Sequence, residues 1–369
     1  MKIALIRTAS NQLTYGSYNI QELGLAKSLF RMDNSIHIYA NFKNVNTPQT
    51  ISSNSKNEIR LIPLKGLSIY KEINFYFGLT KKLLDENYDI IQFLDDSQIQ
   101  IPISLLNKKM RKKKVVLWQG MYRDFQSPHK LLFQKVYDFV FARFINKNTV
   151  LKIAKTKDAE NYLSRKKYSN IKTLPVGLDF VEPINDSEVQ KKIHDFTFKF
   201  NKSFFYIGVL EARRDINFIL KILQKKPEWG FVLIGNGIDK EIILNEIKNL
   251  NIESQVLYIP SIDNNKLCNV YKYIDIFLLP TNYEIVGMVI LEALYYGVAV
   301  IATPEAGPLD IIKSQELGFC PEKNITLWID KINQTINNGE LRKLRKKYIC
   351  DNYNWDLIGK KFLNLYENI

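Results

Sequence analysis

Short runs of β-branched and aromatic residues alternate with longer stretches of helical periodicity along almost the whole chain. No other feature limits the possible folds so tightly. Ile3–Arg7, Ile36–Ala40, Ile59–Leu64, Ile90–Leu94, Val115–Gln119, Leu151–Thr156 and Ile171–Val176 read as buried strands. A helix of about 13 residues is predicted after the first strand, with Ser17 as its N-cap and Ile20, Leu23, Ala26 and Phe30 on one face. Strand–helix–strand alternation of this kind builds a parallel, doubly wound sheet. The alternation pauses over 181–200, a polar stretch containing Pro183. It resumes with Phe204–Leu210, Phe231–Gly235, Val256–Pro260, Ile276–Pro280 and Val298–Thr303. With 369 residues the chain exceeds one ordinary core. The reading is two Rossmann-like α/β domains, 1–180 and 201–354, joined by a linker at 181–200. A closing helix, Trp355–Tyr366, carries apolar residues that need a surface to cover.

Open α/β sheets bind ligands beyond the carboxyl ends of their strands, so two such domains facing each other would enclose a cleft. The most informative segment for that cleft is TNYEIVGMVILEALYYG, Thr281–Gly297. A strand ends before it, a loop holds Glu284, a helix starts near Gly287, and Gly297 stands where a C′ glycine ends it. The free N–H groups of Met288 and Val289 would make a phosphate site at the helix N-terminus. Glu292 lies among Val289, Ile290, Leu291, Ala293 and Leu294. A carboxylate there needs a partner: a nearby lysine, a backbone group, or a ligand with vicinal hydroxyls.

Charge separates the two halves. Residues 1–180 hold 29 Lys/Arg against 14 Asp/Glu, a net of +15, whereas 181–369 hold 23 against 24, a net of −1. The excess is densest over 101–172, with 18 basic and 4 acidic side chains. An anionic partner for the first half follows, with nucleic acid and an anionic membrane surface both open. NKKMRKKK, from Asn107 to Lys114, is the densest run; Lys112, Lys113 and Lys114 are the candidate contacts with anionic lipid heads, the alternative being a solvated helix end. Lys130–Ile145, with Phe133, Tyr137, Phe141 and Phe144, reads as a core helix in preference to an interfacial one. No apolar run is long enough to span a bilayer. The opening MKIALIRT reads as a buried strand, not a signal peptide. Cys268, Cys320 and Cys350 are odd in number and form neither a disulfide framework nor a zinc motif, which points to a reducing compartment. His37, His129 and His194 are scattered, and the adjacent Asp95-Asp96 reads as a strand-end loop without a metal.

Glu284 and Glu292, with seven residues between them and followed by Ala293-Leu294 and Gly297, resemble the Glu-x7-Glu motif of the retaining GT-B glycosyltransferases of family 4. The resemblance extends in order along nearly all of the chain: Pro175–Asp179, Gly208-Val209-Leu210 with Arg213-Arg214, Gly235-Asn236-Gly237, and Trp355 with the closing helix. It implies two facing Rossmann-like domains with a central cleft, and a C-terminal helix, 355–369, crossing back to complete the first domain. It implies retaining transfer of a sugar from a UDP- or GDP-linked donor, with no metal and no further cofactor. By position, Glu292 matches the carboxylate that holds the ribose hydroxyls, and Glu284 the one beside the donor sugar. Gly287, Met288 and Val289 match the backbone that meets sugar and diphosphate. Arg214 stands where the family has a lysine on the diphosphate, and Gly16 matches the glycine where donor and acceptor approach. Base recognition falls near Tyr258–Pro260.

The chain departs from the family pattern at Val209, where an arginine is usual, at Asp215, at Val286, and at Gln119, where a histidine is common. Valine cannot bind phosphate, so Arg213 is the candidate to do so in place of residue 209. Gln119 and Asp95 are candidates for the acceptor side. The resulting expectation is a cytoplasmic enzyme, peripheral on the inner face of the membrane, that extends a lipid-linked glycan in cell-surface polysaccharide synthesis. The competing readings are a non-catalytic nucleotide-sugar-binding subunit of the same fold, a GT-B epimerase or phosphorylase, and a nucleic-acid-binding protein. The last lacks the aromatic and zinc-finger motifs of its class.

Overall fold

The computed structural model describes residues 1–9, 12–16, 20–70, 73–180, 187–267 and 269–369. Ser17, Pro183 and Cys268 lie outside the described residues. The chain forms two compact units, Met1–Asp179 with Tyr353–Ile369, and Phe180–Asn352.

The first unit is built on an eight-stranded sheet in the order Ile171–Thr173, Leu151–Ala154, Lys114–Gln119, Ile90–Leu94, Lys2–Arg7, Ser35–Ala40, Glu58–Pro63, Gln49–Ser53. All neighbours are parallel except the last pair. The sheet is therefore mixed, where the alternation of strands and helices implied a purely parallel one. Gln49–Ser53 is a polar, exposed edge strand with no apolar alternation to reveal it. It is turned back onto its neighbour by Asn54, whose Oδ1 accepts from the amides of Lys56 and Asn57 at 2.9 and 2.7 Å. The first helix runs Gln21–Arg31 with Ile20 at the N-cap position.

The closing helix, Trp355–Glu367, packs on Gln21–Arg31. Two glycines make room for Trp355: a Cβ on Gly24 would stand 2.1 Å from its Nε1, and one on Gly177 would stand 2.6 Å from its Cδ2. Ser28 Oγ donates to Trp355 O at 2.8 Å, and Tyr366 Oη donates to Gln92 Oε1 at 2.6 Å, so both ends of the helix are tied to this unit.

The helix Pro128–Asn148 departs from the core-helix reading. Pro128 occupies its first turn, where a missing N–H costs nothing. At its other end, Lys152 Nζ donates to Asn146 O at 3.0 Å and to Thr149 O at 2.9 Å, and burial pushes that ammonium down to about 8. Tyr137, Ala142 and Ile145 are buried, with Phe141 and Phe144 packed against the same core. Leu132, Phe133, Val136, Phe139 and Val140 are exposed. Apolar residues stand on every side of this helix among its polar ones, so no periodicity says which side is inside.

The second unit holds a six-stranded parallel sheet in the order Val256–Ile259, Trp229–Ile234, Lys202–Ile207, Ile276–Leu279, Ala299–Ala302, Gly318–Phe319. Part of the stretch read as a linker is the helix Ser187–Thr197, which belongs to this unit and buries Ile193. Its charged surface masked a one-sided apolar stripe. The helix Met288–Tyr295 ends in a Schellman motif: Gly297 N donates to Leu294 O at 2.9 Å and Val298 N to Ala293 O at 2.8 Å. Gly297 has φ +82°, the left-handed conformation this cap requires.

Candidate functional site

In the second unit the strand order changes direction between Lys202–Ile207 and Ile276–Leu279. The loops leaving these two strands, 208–215 and 280–287, therefore flank the crevice where a doubly wound sheet binds ligands. They are stitched together by backbone and side chain. Asn282 N donates to Arg213 O at 2.8 Å, Arg213 Nη1 donates to Tyr283 O at 2.9 Å, and the buried Thr281 hydroxyl lies 3.2 Å from Arg213 O and 3.1 Å from Tyr283 O. The glycine turn at 235–237 packs directly on the first loop. A Cβ on Gly235 would come within 1.9 Å of Gly208 O, and one on Gly237 within 2.0 Å of Leu210 O. Tyr258 Oη donates to Gly235 O at 3.0 Å, which fixes the turn from the other side.

This scaffold brings Arg214 and Glu284 together. Arg214 Nη1 donates to Glu284 Oε2 at 2.5 Å, and Glu284 Oε1 accepts from Gly287 N at 3.0 Å. Burial opposes the charge on Arg214, but the Glu284 carboxylate outweighs it and raises the guanidinium above its ordinary value. Gly287, at φ +80°, is the N-cap of Met288–Tyr295. Met288 and Val289 are half-buried at its first two positions, where amides have no partner within a helix. A cation, a carboxylate and a helix N-terminus thus converge: a polar setting for an anionic group and the hydroxyls of a sugar. Glu292, one turn further in, is 1% exposed.

Other sequence candidates have different positions. Arg213 is committed to Tyr283 O and to Glu211, whose Oε1 lies 2.6 Å from its Nε; the side chain braces the two loops. Val209 is 55% exposed. Asp215 adopts the left-handed conformation, φ +49°, before the helix Ile216–Gln224 and is paired with Lys323, which also donates to Asn282 Oδ1 at 2.5 Å. Val286 is buried, and its carbonyl would stand 2.2 Å from a Cβ on Gly307. Lys323, Glu211 and Gly307 were missed by the sequence reading, because their partners Asp215, Arg213 and Val286 lie elsewhere in the chain or give no local pattern.

The first unit reverses strand order between Lys2–Arg7 and Ile90–Leu94. Gly16, φ +89°, lies in the loop after the first of these, and no atom of the described residues stands within 4 Å of where a Cβ would point. Asp95, φ +52°, accepts from Gly120 N at 2.6 Å and Met121 N at 3.1 Å. Gln119 is fully buried, donating to Asp96 Oδ1 at 3.2 Å and Met121 O at 3.0 Å while accepting from Asp96 N at 2.9 Å. It holds this loop in place. Both aspartates lie in the loop that follows the strand Ile90–Leu94, as the sequence implied, and Asp96 is buried there and paired with Lys166. Unforeseen here is a buried charge cluster: Arg7 Nη1 donates to Glu22 Oε1 at 3.0 Å, and Lys155 Nζ donates to Gln21 Oε1 at 2.8 Å. Burial raises the Glu22 pKa, but the charges of Arg7 and Lys155 outweigh it, and the carboxyl sits below its ordinary value. Of the membrane candidates, Lys112 and Lys114 are exposed or partly so, and Lys113 donates to Asn87 Oδ1 at 2.5 Å.

Two Rossmann-like α/β domains with this loop architecture give the chain the GT-B fold. The Anabaena protein HepE, solved in complex with UDP and glucose, superposes with a TM-score of 0.70 at 14% identity, over 100% of both chains. Residues 189–365 match the family described as Glycosyl transferases group 1, a stretch that takes in most of the second unit and runs into the closing helix. Among curated relatives, an uncharacterized glycosyltransferase of Haemophilus influenzae is 30% identical over 38% of this chain and 41% of its own length. The O-antigen biosynthesis glycosyltransferase WclY of Escherichia coli is 25% identical over 43% of this chain and 45% of its own length. These matches span less than half of either relative.

Proposed function

We propose that the protein transfers a sugar, with retention of anomeric configuration, from a nucleoside-diphosphate donor held by the second unit to a glycan held by the first. The observation that carries this reading is the Arg214–Glu284 pair, 2.5 Å apart, beside the Met288 and Val289 amides at the switch point of the unit that matches the group 1 family. HepE with UDP and glucose supports a nucleotide-sugar donor, linked to UDP or GDP, and WclY supports a glycan acceptor.

The chemistry follows from the charges. As the bond from the anomeric carbon to the diphosphate loosens, positive charge grows on the sugar ring and negative charge on the departing phosphate. Arg214 and the helix amides stabilise that phosphate without reorganising. The acceptor oxygen bonds to the anomeric carbon on the face the phosphate leaves, and its proton passes to a phosphate oxygen, so configuration is retained. Glu292 accepts hydrogen bonds from the ribose hydroxyls. Glu284 orients Arg214 and lies beside the sugar. Gly16 admits donor and acceptor together. The scheme uses no metal and no cofactor beyond the donor. The acceptor is a lipid-linked glycan, reached when the +15 first half adsorbs, through Lys112–Lys114 among others, on the anionic inner face of the membrane.

Incubation with a panel of UDP- and GDP-sugars, followed by chromatography for the released nucleoside diphosphate, tests the proposal. One donor should be consumed by the wild type, and Glu284→Gln should slow turnover by about 10- to 150-fold, the loss of one charged hydrogen bond. Tight binding of a donor with no turnover in any acceptor mixture would instead identify a non-catalytic subunit of this fold.

A further inference from the structure

The helix Pro128–Asn148 carries one acid, Asp138, and that acid is turned inward, 2.6 Å from Lys166 Nζ. Its solvent face is formed by Leu132, Phe133, Val136, Phe139 and Val140, with Phe139 91% and Leu132 66% exposed. At 100° per residue these five fall in one arc of the helix wheel of about 120°. The helix also exposes the basic or titratable side chains His129, Lys135, Arg143 and Lys147, on the same arc or its edges. The exposed face is thus apolar and basic, with no negative charge. Water solvates such a face poorly, and an anionic bilayer surface complements it in both respects.

The basic run extends the same surface. Lys114–Gln119 and Leu151–Ala154 are neighbouring parallel strands, and Val150 N donates to Val115 O at 2.8 Å. Residues 108–113 precede the first strand and the last turn of the helix precedes the second, so both lie at the amino ends of these strands. Lys108, Lys109, Arg111 and Lys112 are exposed there, next to Leu106, which is also exposed at the end of the helix Gln100–Leu106. That shorter helix packs against Pro128–Asn148.

We propose that Pro128–Asn148 lies in the plane of the membrane interface and inserts its Leu132–Val136–Phe139–Val140 face among the acyl chains of an anionic leaflet, with Lys135, Arg143 and Lys147 at the headgroups. This rests on the reading of the first unit as membrane-adsorbed and deepens it: attachment is held by apolar insertion as well as by charge. Residues 132–140 cover roughly 12 Å of the helix axis on one arc, so their apolar side chains reach the acyl boundary together.

The test is co-sedimentation of the full chain with phosphatidylglycerol-rich vesicles at about 0.1 M and about 0.5 M salt, since the Debye length falls from about 10 Å to less than half of that. Wild type should remain largely bound at the higher salt. Leu132→Ser/Phe139→Ser, substituted only at exposed positions, should partition about tenfold or more weakly at both salts, with an unchanged melting temperature and unchanged nucleotide affinity. Neutralising Lys112, Lys113 and Lys114 should weaken binding at low salt alone. If the serine variant sediments like wild type while the lysine variant does not, adsorption is purely electrostatic and the insertion proposal is overturned. If wild type binds no vesicle, both the insertion and the membrane reading fall. A wild-type dimer in analytical ultracentrifugation that the serine variant converts to monomer would assign the face to a second copy and overturn the proposal.

Discussion

The two units present the same topological feature, a change of strand direction with loops at the carboxyl ends, and they furnish it differently. In the first unit the polar groups near that point are used internally: Glu22 is 3% exposed and held by Arg7, Asp95 accepts from two backbone amides, and the neutral Gln119 is fully buried. In the second unit Arg214 and Glu284 also pair with each other, but they stand against a helix N-terminus whose first amides have no helical partner. Removing one member of a charge pair costs the unit that holds it stability, whereas a charge pair beside free helix amides is also placed to meet a ligand. A switch point is therefore not in itself a binding site. What fills it decides.

That contrast sets the order of expected effects. Glu22→Gln should cost about 1.5–3 kcal/mol, because it removes the charge from a buried hydrogen bond with Arg7, while nucleotide affinity is unchanged. The Glu22 carboxyl is depressed in the folded state, so its stabilisation is fully present above the unfolded value of about 4.3 and is lost as pH falls through the lower folded value. The melting-temperature gap between wild type and Glu22→Gln should accordingly be full at neutral pH and close in acid. A gap that persists at low pH would show that the carboxylate's charge is not what holds the pair. Gly235→Ala comes next: its Cβ would stand 1.9 Å from Gly208 O at φ +147°, so the second unit should lose about 1–3 kcal/mol and the ligand loops should shift. Wild-type thermal stability in that variant would mean the loops do not depend on this contact. Lys323→Ala, removing a partly exposed pair with Asp215, should cost no more than about 1 kcal/mol in a denaturant titration. A larger loss would make Lys323 part of the scaffold that positions Arg214.

The parts of this arrangement legible in sequence are those with a local cause. Gly287 and Gly297 bracket a helix because its N-cap and C′ positions take the left-handed conformation, and both have it, at +80° and +82°. The paired strands follow from apolar runs. What could not be read depends on distant segments meeting. Gln49–Ser53 is a polar edge strand whose only pattern is its partner. Arg213 has the chemistry of a phosphate ligand, but Tyr283, seventy residues on, claims its guanidinium. Gly307 matters because Val286 O lies against it. Pro128–Asn148 has apolar residues on every side, so only the packed sheet decides which of them meet water.

The central claim is that the second unit's switch point binds a nucleoside diphosphate through Arg214 and Glu292. Calorimetric titration of UDP and of GDP into wild type, Arg214→Ala and Glu292→Gln tests it directly. One of the two nucleotides should bind wild type, and each substitution should weaken that binding by about 1.5–3 kcal/mol, the contribution of a charged hydrogen bond, with Arg214→Ala losing more affinity than stability. Unchanged affinity in both variants, or a fall in melting temperature without a fall in affinity, would contradict the account and make these residues structural.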